Sequence, residues 1–284
     1  MSRFFNQSRK TSLSRELKSG DDSVDVKQLL EESRRLEPQP QAVVAVPINS
    51  ANSIQIKLTL PILTGGNQTA QAAQEAYRTL RTRLLRLQVT RKMRSVAITS
   101  AAQGDGKTLT SLNLALCCAR LFTKVLLVDG DLRTGSLSAL MSNAHSPGLA
   151  ELLEGQAPFE SAIVSTNMDN LFVVAAGQSA LAASELYAKP RWQDFIEWCS
   201  ERFELVLVDS PPILGLADFE LIASRCDGVL AVVRARITGR DAFEEATQQI
   251  DKKKFLGIVL NAYESPLRHR HQYYRYYAGS GGRK

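Results

Sequence analysis

The sequence predicts an α/β protein built on a doubly wound, mainly parallel sheet with helices on both faces. Short, near-continuous apolar runs such as SVAITS, VLLVDGD, LVLVDSPP and GVLAVVRA recur along the chain, as expected of strands buried on both sides. Helix-forming stretches separate them, so strand and helix alternate and the strands should run parallel. Acidic residues close two of these runs and a Gly-Lys-Thr follows another, which would gather charge at one sheet edge. With 284 residues, 44% hydrophobic and 23% charged, the chain can bury a sizeable core. The same figures exclude wholesale disorder, a collagen-like repeat and a multispanning membrane protein.

Residues 1–67 mix polar clusters with short apolar pieces and contain Pro38, Pro40, Pro47 and Pro61, so a mobile N-terminal arm is expected. The opening MSRFFNQSRK has no apolar core of signal-peptide length, and a cytoplasmic location is expected. A nucleotide-binding domain is expected over 68–265. It begins with a helix from Ala70 to about Leu87, where Ala73, Tyr77, Leu80, Leu84 and Leu87 form one apolar stripe. SVAITS is the first strand, a helix follows from Thr108 to about Leu121, and KVLLVDGD is the second strand. Then come LFVVAAG, a helix around 185–201, ELVLVDSPP, DGVLAVVRA, a helix around 240–252, and FLGIVLNA. Residues 266–284 are too rich in tyrosine, glycine and charge to join the core and are expected to form a flexible tail.

That tail holds Arg268, Arg270, Arg275, Arg283 and Lys284 with no acid, accounting for +5 of the formal +6. The basicity is local, so a nucleic-acid-binding surface is not indicated. Cys117, Cys118, Cys199 and Cys226 show no zinc or redox spacing beside only three histidines, and are expected to be buried thiols.

The first strand runs into Ala101-Ala102-Gln103-Gly104-Asp105-Gly106-Lys107-Thr108, followed by Leu109 in the helix. Such a loop wraps backbone N–H groups around phosphates, with Lys107 as a point charge and the Thr108 hydroxyl available to Mg²⁺. As a lysine on an exposed loop, Lys107 is expected to contribute little to the core. Asp129 and Asp131 end the second strand and Asp209 ends another. Single strand-end carboxylates can be turn formers or caps, but three at the edge that carries a lysine loop imply a site for a nucleotide with Mg²⁺.

These residues resemble the deviant Walker group of P-loop NTPases, in which a second acidic motif follows the strand after the loop. Asp129-x-Asp131-x-Arg133, Asp209-Ser210-Pro211-Pro212 and Glu75-x-x-Arg78-x-x-Arg81 resemble the bacterial tyrosine kinases of polysaccharide synthesis, over about residues 70–284. The stretches Gly148–Leu153, Ser184–Leu186 and Gly257–Asn261 extend the likeness, whereas Gly135 replaces a proline common in that family. The resemblance implies ATP as the nucleotide, phosphate contacts from Gln103 to Leu109 and metal binding by Thr108, Asp129 and Asp209. It also implies Asp131 as proton acceptor, and catalytic roles for Lys107, Asp129 and Arg133. Arg133 could equally pair with one of the aspartates.

Tyr273, Tyr274, Tyr276 and Tyr277 would be autophosphorylated in trans, the alternative being a basic-aromatic tail that binds membrane or RNA. Glu75, Arg78 and Arg81 share a helix face and would dock subunits into a ring, or Glu75 and Arg78 would simply pair within the helix. The resemblance further implies a separately encoded transmembrane polysaccharide co-polymerase, a cognate tyrosine phosphatase, and recruitment to the inner face of the membrane. A positioning or partitioning switch ATPase is the main alternative, but such proteins carry a signature lysine where this chain has Ala102. A non-catalytic nucleotide-binding adaptor is the other.

Overall fold

The computed structural model describes residues 68–121, 124–141 and 147–263. The expected arm at 1–67 and tail at 266–284 lie outside the described residues. Helix α1 (Gln68–Arg91) precedes β1 (Ser95–Ser100), α2 (Lys107–Ala119), β2 (Val125–Asp129), α3 (Ser136–Leu140) and α4 (Leu149–Glu154). A 3₁₀ turn (Phe159–Ala162), β3 (Val164–Ser165), β4 (Leu171–Val174), α5 (Ala183–Ala188) and α6 (Pro190–Arg202) come next. The chain continues through β5 (Leu205–Asp209), α7 (Asp218–Arg225), β6 (Gly228–Arg234), α8 (Arg240–Gln248) and β7 (Phe255–Asn261).

The seven strands lie in the order β3-β4-β2-β5-β1-β6-β7, parallel throughout except for the β3–β4 pair. Because successive strand residues point to opposite faces, each central strand feeds two cores. Val96, Ile98, Leu127 and Leu207 pack with Leu84 of α1, Leu112 and Leu116 of α2, and Leu137 of α3. Ala97, Val128, Val206 and Val208 pack with Leu152, Leu186, Trp192, Phe195, Phe219 and Ala246 from α4 to α8. The doubly wound, mainly parallel sheet with helices on both faces expected from the alternating pattern is therefore present. All four cysteines are free and buried, and burial pushes Cys118 and Cys226 up to about 12, which leaves these thiols unreactive.

The structure differs from the sequence expectation at identifiable points. The single helix expected around 185–201 is broken at Pro190, whose ring forces Lys189 into an extended conformation (φ −70°, ψ 148°). Pro190 then opens α6 at the first helical position, where its missing N–H costs nothing. Helices α3, α4 and α7 and strand β3 had no counterpart in the periodicity reading, being two to eight residues long.

Candidate active site

The loop leaving β1 turns through Gly104 and Gly106, both left-handed at φ 90° and 91°. A side chain at Gly106 would also collide with the Asn261 amide. Asp105, 2% exposed, does not face the cleft with its carboxylate. It accepts the Ala102 N–H at 3.2 Å and the Thr238 hydroxyl at 2.7 Å. The Asn261 amide donates to the Asp105 carbonyl at 2.9 Å, and Arg234 donates to the Gly104 carbonyl at 3.1 Å. The phosphate loop is thus latched to the ends of β6 and β7. The first N–H groups of α2, from Lys107 onward, have no intrahelical acceptor and remain for a bound anion.

The strand register assembles the acids. Asp129 of β2 pairs with Asp209 of β5, and Asp209 with Ile98 of β1, so both carboxylates stand beside the loop that follows β1. Lys107, 7% exposed, donates to Asp131 at 2.9 Å and lies 4.0 Å from Asp209 Oδ2. This corrects the expectation of an exposed loop lysine: the first turn of α2 tucks its side chain over the strand ends. Asp209 accepts the Ser111 hydroxyl at 2.9 Å through Oδ1, while Oδ2 is buried without a hydrogen-bond partner. Burial raises the Asp209 pKa to about 6 despite the opposing charge of Lys107. Asp129 is fully buried and accepts both the backbone N–H (2.8 Å) and hydroxyl (2.6 Å) of Ser138. Burial raises its pKa too, with the Ser138 bonds opposing.

Arg133 makes a two-pronged contact with buried Asp218 on α7, at 2.6 and 3.2 Å. Of the two roles left open for Arg133, ion pairing is therefore observed, but with an acid the sequence reading had not singled out. Tyr187 of α5 donates to the Gly130 carbonyl at 2.7 Å. A Cβ at Gly130 would come within 2.8 Å of Val208, which explains the glycine between the two acids. Ser111, Ser138, Tyr187, Asp218 and Thr238 support the site without having been marked by any motif.

A cleft of about 550 Å³ opens over these groups, lined among others by Gln103, Gly104, Gly106, Lys107, Thr108, Leu109, Asp131, Arg133 and Pro212. Its volume and donor-rich floor suit a nucleotide triphosphate. The orphaned Asp209 oxygen near Lys107 and Thr108 is the kind of ligand a hard cation takes. Among the described residues no group of three or more His, Cys, Asp or Glu could hold a metal alone. A cation here would need phosphate and water oxygens to complete its shell, which fits Mg²⁺.

Glu75 and Arg78 form an exposed ion pair at 3.0 Å on α1, whereas Arg81 turns inward and donates to the Cys117 carbonyl of α2 at 2.9 Å. Intrahelical pairing of Glu75 with Arg78 is thus present. Tyr273, Tyr274, Tyr276 and Tyr277 lie outside the described residues.

Parallel strand order, a glycine loop entering α2 and a second acidic motif after β2 define a P-loop NTPase of the deviant Walker type. An AAA domain family matches residues 93–255, more than half of the chain. The tyrosine-protein kinase CpsD of Streptococcus pneumoniae is 35% identical over 60% of this chain and 76% of its own. The tyrosine-protein kinase YwqD of Bacillus subtilis is 31% identical over 72% and 85%. The solved kinase domain of the Escherichia coli tyrosine kinase ETK superposes with a TM-score of 0.65 at 28% identity, covering 72% of this chain and 83% of that one. The chain belongs to the bacterial tyrosine-protein kinases.

Proposed function

We propose that this kinase transfers the γ-phosphoryl group of ATP to Tyr273, Tyr274, Tyr276 and Tyr277 of a neighbouring copy, and thereby regulates polysaccharide polymerisation and export. The observation that carries the reading is the Lys107–Asp131 contact of 2.9 Å at the floor of the cleft. When phosphates draw the ammonium to themselves, Asp131 is left beside the γ-phosphoryl as a free carboxylate. A phenol with a pKa of about 10 is protonated at neutral pH, and Asp131 accepts its proton as the phenolic oxygen bonds to phosphorus and the bond to ADP breaks. Thr108 and Asp209 would hold Mg²⁺, with Asp129 acting through water or through Ser138. Bound there, the ion would offset charge on the β- and γ-phosphates. Gln103 to Leu109 cradle the phosphates, chiefly through backbone N–H groups, while Asp105 shapes the loop.

The kinase would act in a ring of copies docked through the exposed face of α1 that carries Glu75 and Arg78, with Arg81 bracing α1 against α2. Among the described residues no helix is long and apolar enough to cross a membrane. A separately encoded transmembrane co-polymerase would bring the ring to the inner face of the membrane, and a cognate phosphatase would reset it.

The test is to incubate the protein with Mg-ATP, with and without the partner's cytoplasmic segment, measuring phosphotyrosine and free phosphate separately. Phosphotyrosine mapped to residues 273–277 and lost in Lys107→Ala is expected. Phosphate release without phosphotyrosine would point to a switch ATPase, and neither product to an adaptor.

A further inference from the structure

One wall of the cleft does not suit the phosphates of a nucleotide. The segment between β5 and α7 contributes Pro212, Leu214 and Leu216 to it. Proline has no N–H, and the next two backbone donors are already used: Ile213 N–H bonds to the Ser100 carbonyl at 2.9 Å and Leu214 N–H to the Ala101 carbonyl at 3.4 Å. This wall therefore presents carbon where a triphosphate needs hydrogen-bond donors. Leu214 and Leu216 are only partly buried, and Leu216 packs into neither core, so core stability does not account for it. Gly215 between them is left-handed at φ 86°, a turn that puts both leucines on the cleft. Arg133 also lines the cleft, its guanidinium held by Asp218.

We propose that Pro212, Leu214 and Leu216 form the binding wall for the aromatic ring of the acceptor tyrosine, with the Arg133 guanidinium as a second surface against that ring. The occupant is a tyrosine from the tail of a second copy, so the inference rests on the tail-kinase reading above. Charge supports it: the tail is basic with no acid after Pro266, and the cleft floor carries Asp131, which is freed when phosphates draw Lys107 away. A ring seated between aliphatic carbon and a guanidinium is stabilised by burial and by cation–π attraction. Its hydroxyl is then directed to the floor, where Asp131 stands. A serine in the same tail lacks the ring and gains nothing from this wall, which makes the wall a source of selectivity for tyrosine.

The experiment uses two full-length forms. The enzyme has Tyr273, Tyr274, Tyr276 and Tyr277 changed to Ser, so it cannot label itself on the cluster; the acceptor carries Lys107→Ala and an intact tail. Adding Leu214→Ser and Leu216→Ser to the enzyme is expected to raise KM for the acceptor roughly tenfold, with KM for ATP moving less than twofold. Leu216→Met, which keeps the apolar surface, should restore the acceptor KM in an enzyme that retains Leu214. An unchanged acceptor KM, or an equal rise in both KM values, would overturn the wall while leaving the tail-kinase reading intact. No phosphotyrosine from the unsubstituted pair would defeat that reading and the wall with it.

Discussion

At the scale of single residues, Lys107 and Asp209 have opposite effects on stability. Removing Lys107 leaves the buried Asp131 and Asp209 carboxylates without their cation, so Lys107→Ala should lower the melting temperature as well as abolish phosphotyrosine. The loss should be on the order of 3 to 5 kcal/mol at neutral pH, measured by denaturant titration. Asp209 works the other way. Its folded pKa, raised to about 6, lies above that of the unfolded chain, so the fold favours the protonated form. The stability tied to that proton is full below the unfolded pKa and is lost as pH rises through about 6. Asn mimics the protonated group, so Asp209→Asn should stabilise the nucleotide-free protein near pH 8 by on the order of 2 to 3 kcal/mol. The gain should vanish below about pH 4. Calorimetry across this range checks it, and a lower melting temperature at pH 8 would contradict it. The same variant should lose Mg-dependent phosphorylation, since a site residue is retained for chemistry at the expense of stability.

Among the elements, the phosphate loop depends on a latch distant in sequence. Thr238 donates to Asp105 at 2.7 Å and accepts the Arg234 N–H at 2.9 Å. Thr238→Val keeps the shape but strands both partners, so KM for ATP should rise roughly five- to tenfold while the fold persists; nucleotide titration would check this. No pattern marks Thr238, because its partner Asp105 is 133 positions away. Asp218 is likewise 85 positions from Arg133. By contrast, Lys107, Asp129 and Asp209 were legible, since each sits where an apolar strand or its loop ends and parallel strands end on one edge. The central strands were legible because burial on both faces leaves uninterrupted apolar runs. Short helices such as α3 and α7 were not, because five to eight residues complete too few turns to display a period.

For the whole molecule, assembly and its release should depend on different parts of the chain. Arg81 is tied to the Cys117 carbonyl and helps seat α1 on α2, whereas Arg78 is exposed with Glu75. Arg78→Glu should therefore shift the oligomer toward monomer in sedimentation without changing the melting temperature, while Arg81→Glu should lower both. Release would come from the tail. Each phosphotyrosine carries about −1.5 to −2 at neutral pH, so four would add roughly −6 to −8 to a segment whose five basic residues give it +5. Its sign reverses. A basic tail would be attracted to a neighbouring cleft whose floor holds Asp131, and a heavily phosphorylated one would be repelled by that acid and by itself. Oligomer mass should accordingly fall as labelling proceeds, and remain high in Lys107→Ala and in a form with all four tyrosines changed to Phe. Because the attraction is electrostatic, the unlabelled assembly should also loosen as salt is raised toward about 1 M, where the screening length drops to about 3 Å. A fully phosphorylated protein as large as the other two forms, or phosphates mapped mainly outside residues 273–277, would rule this release out.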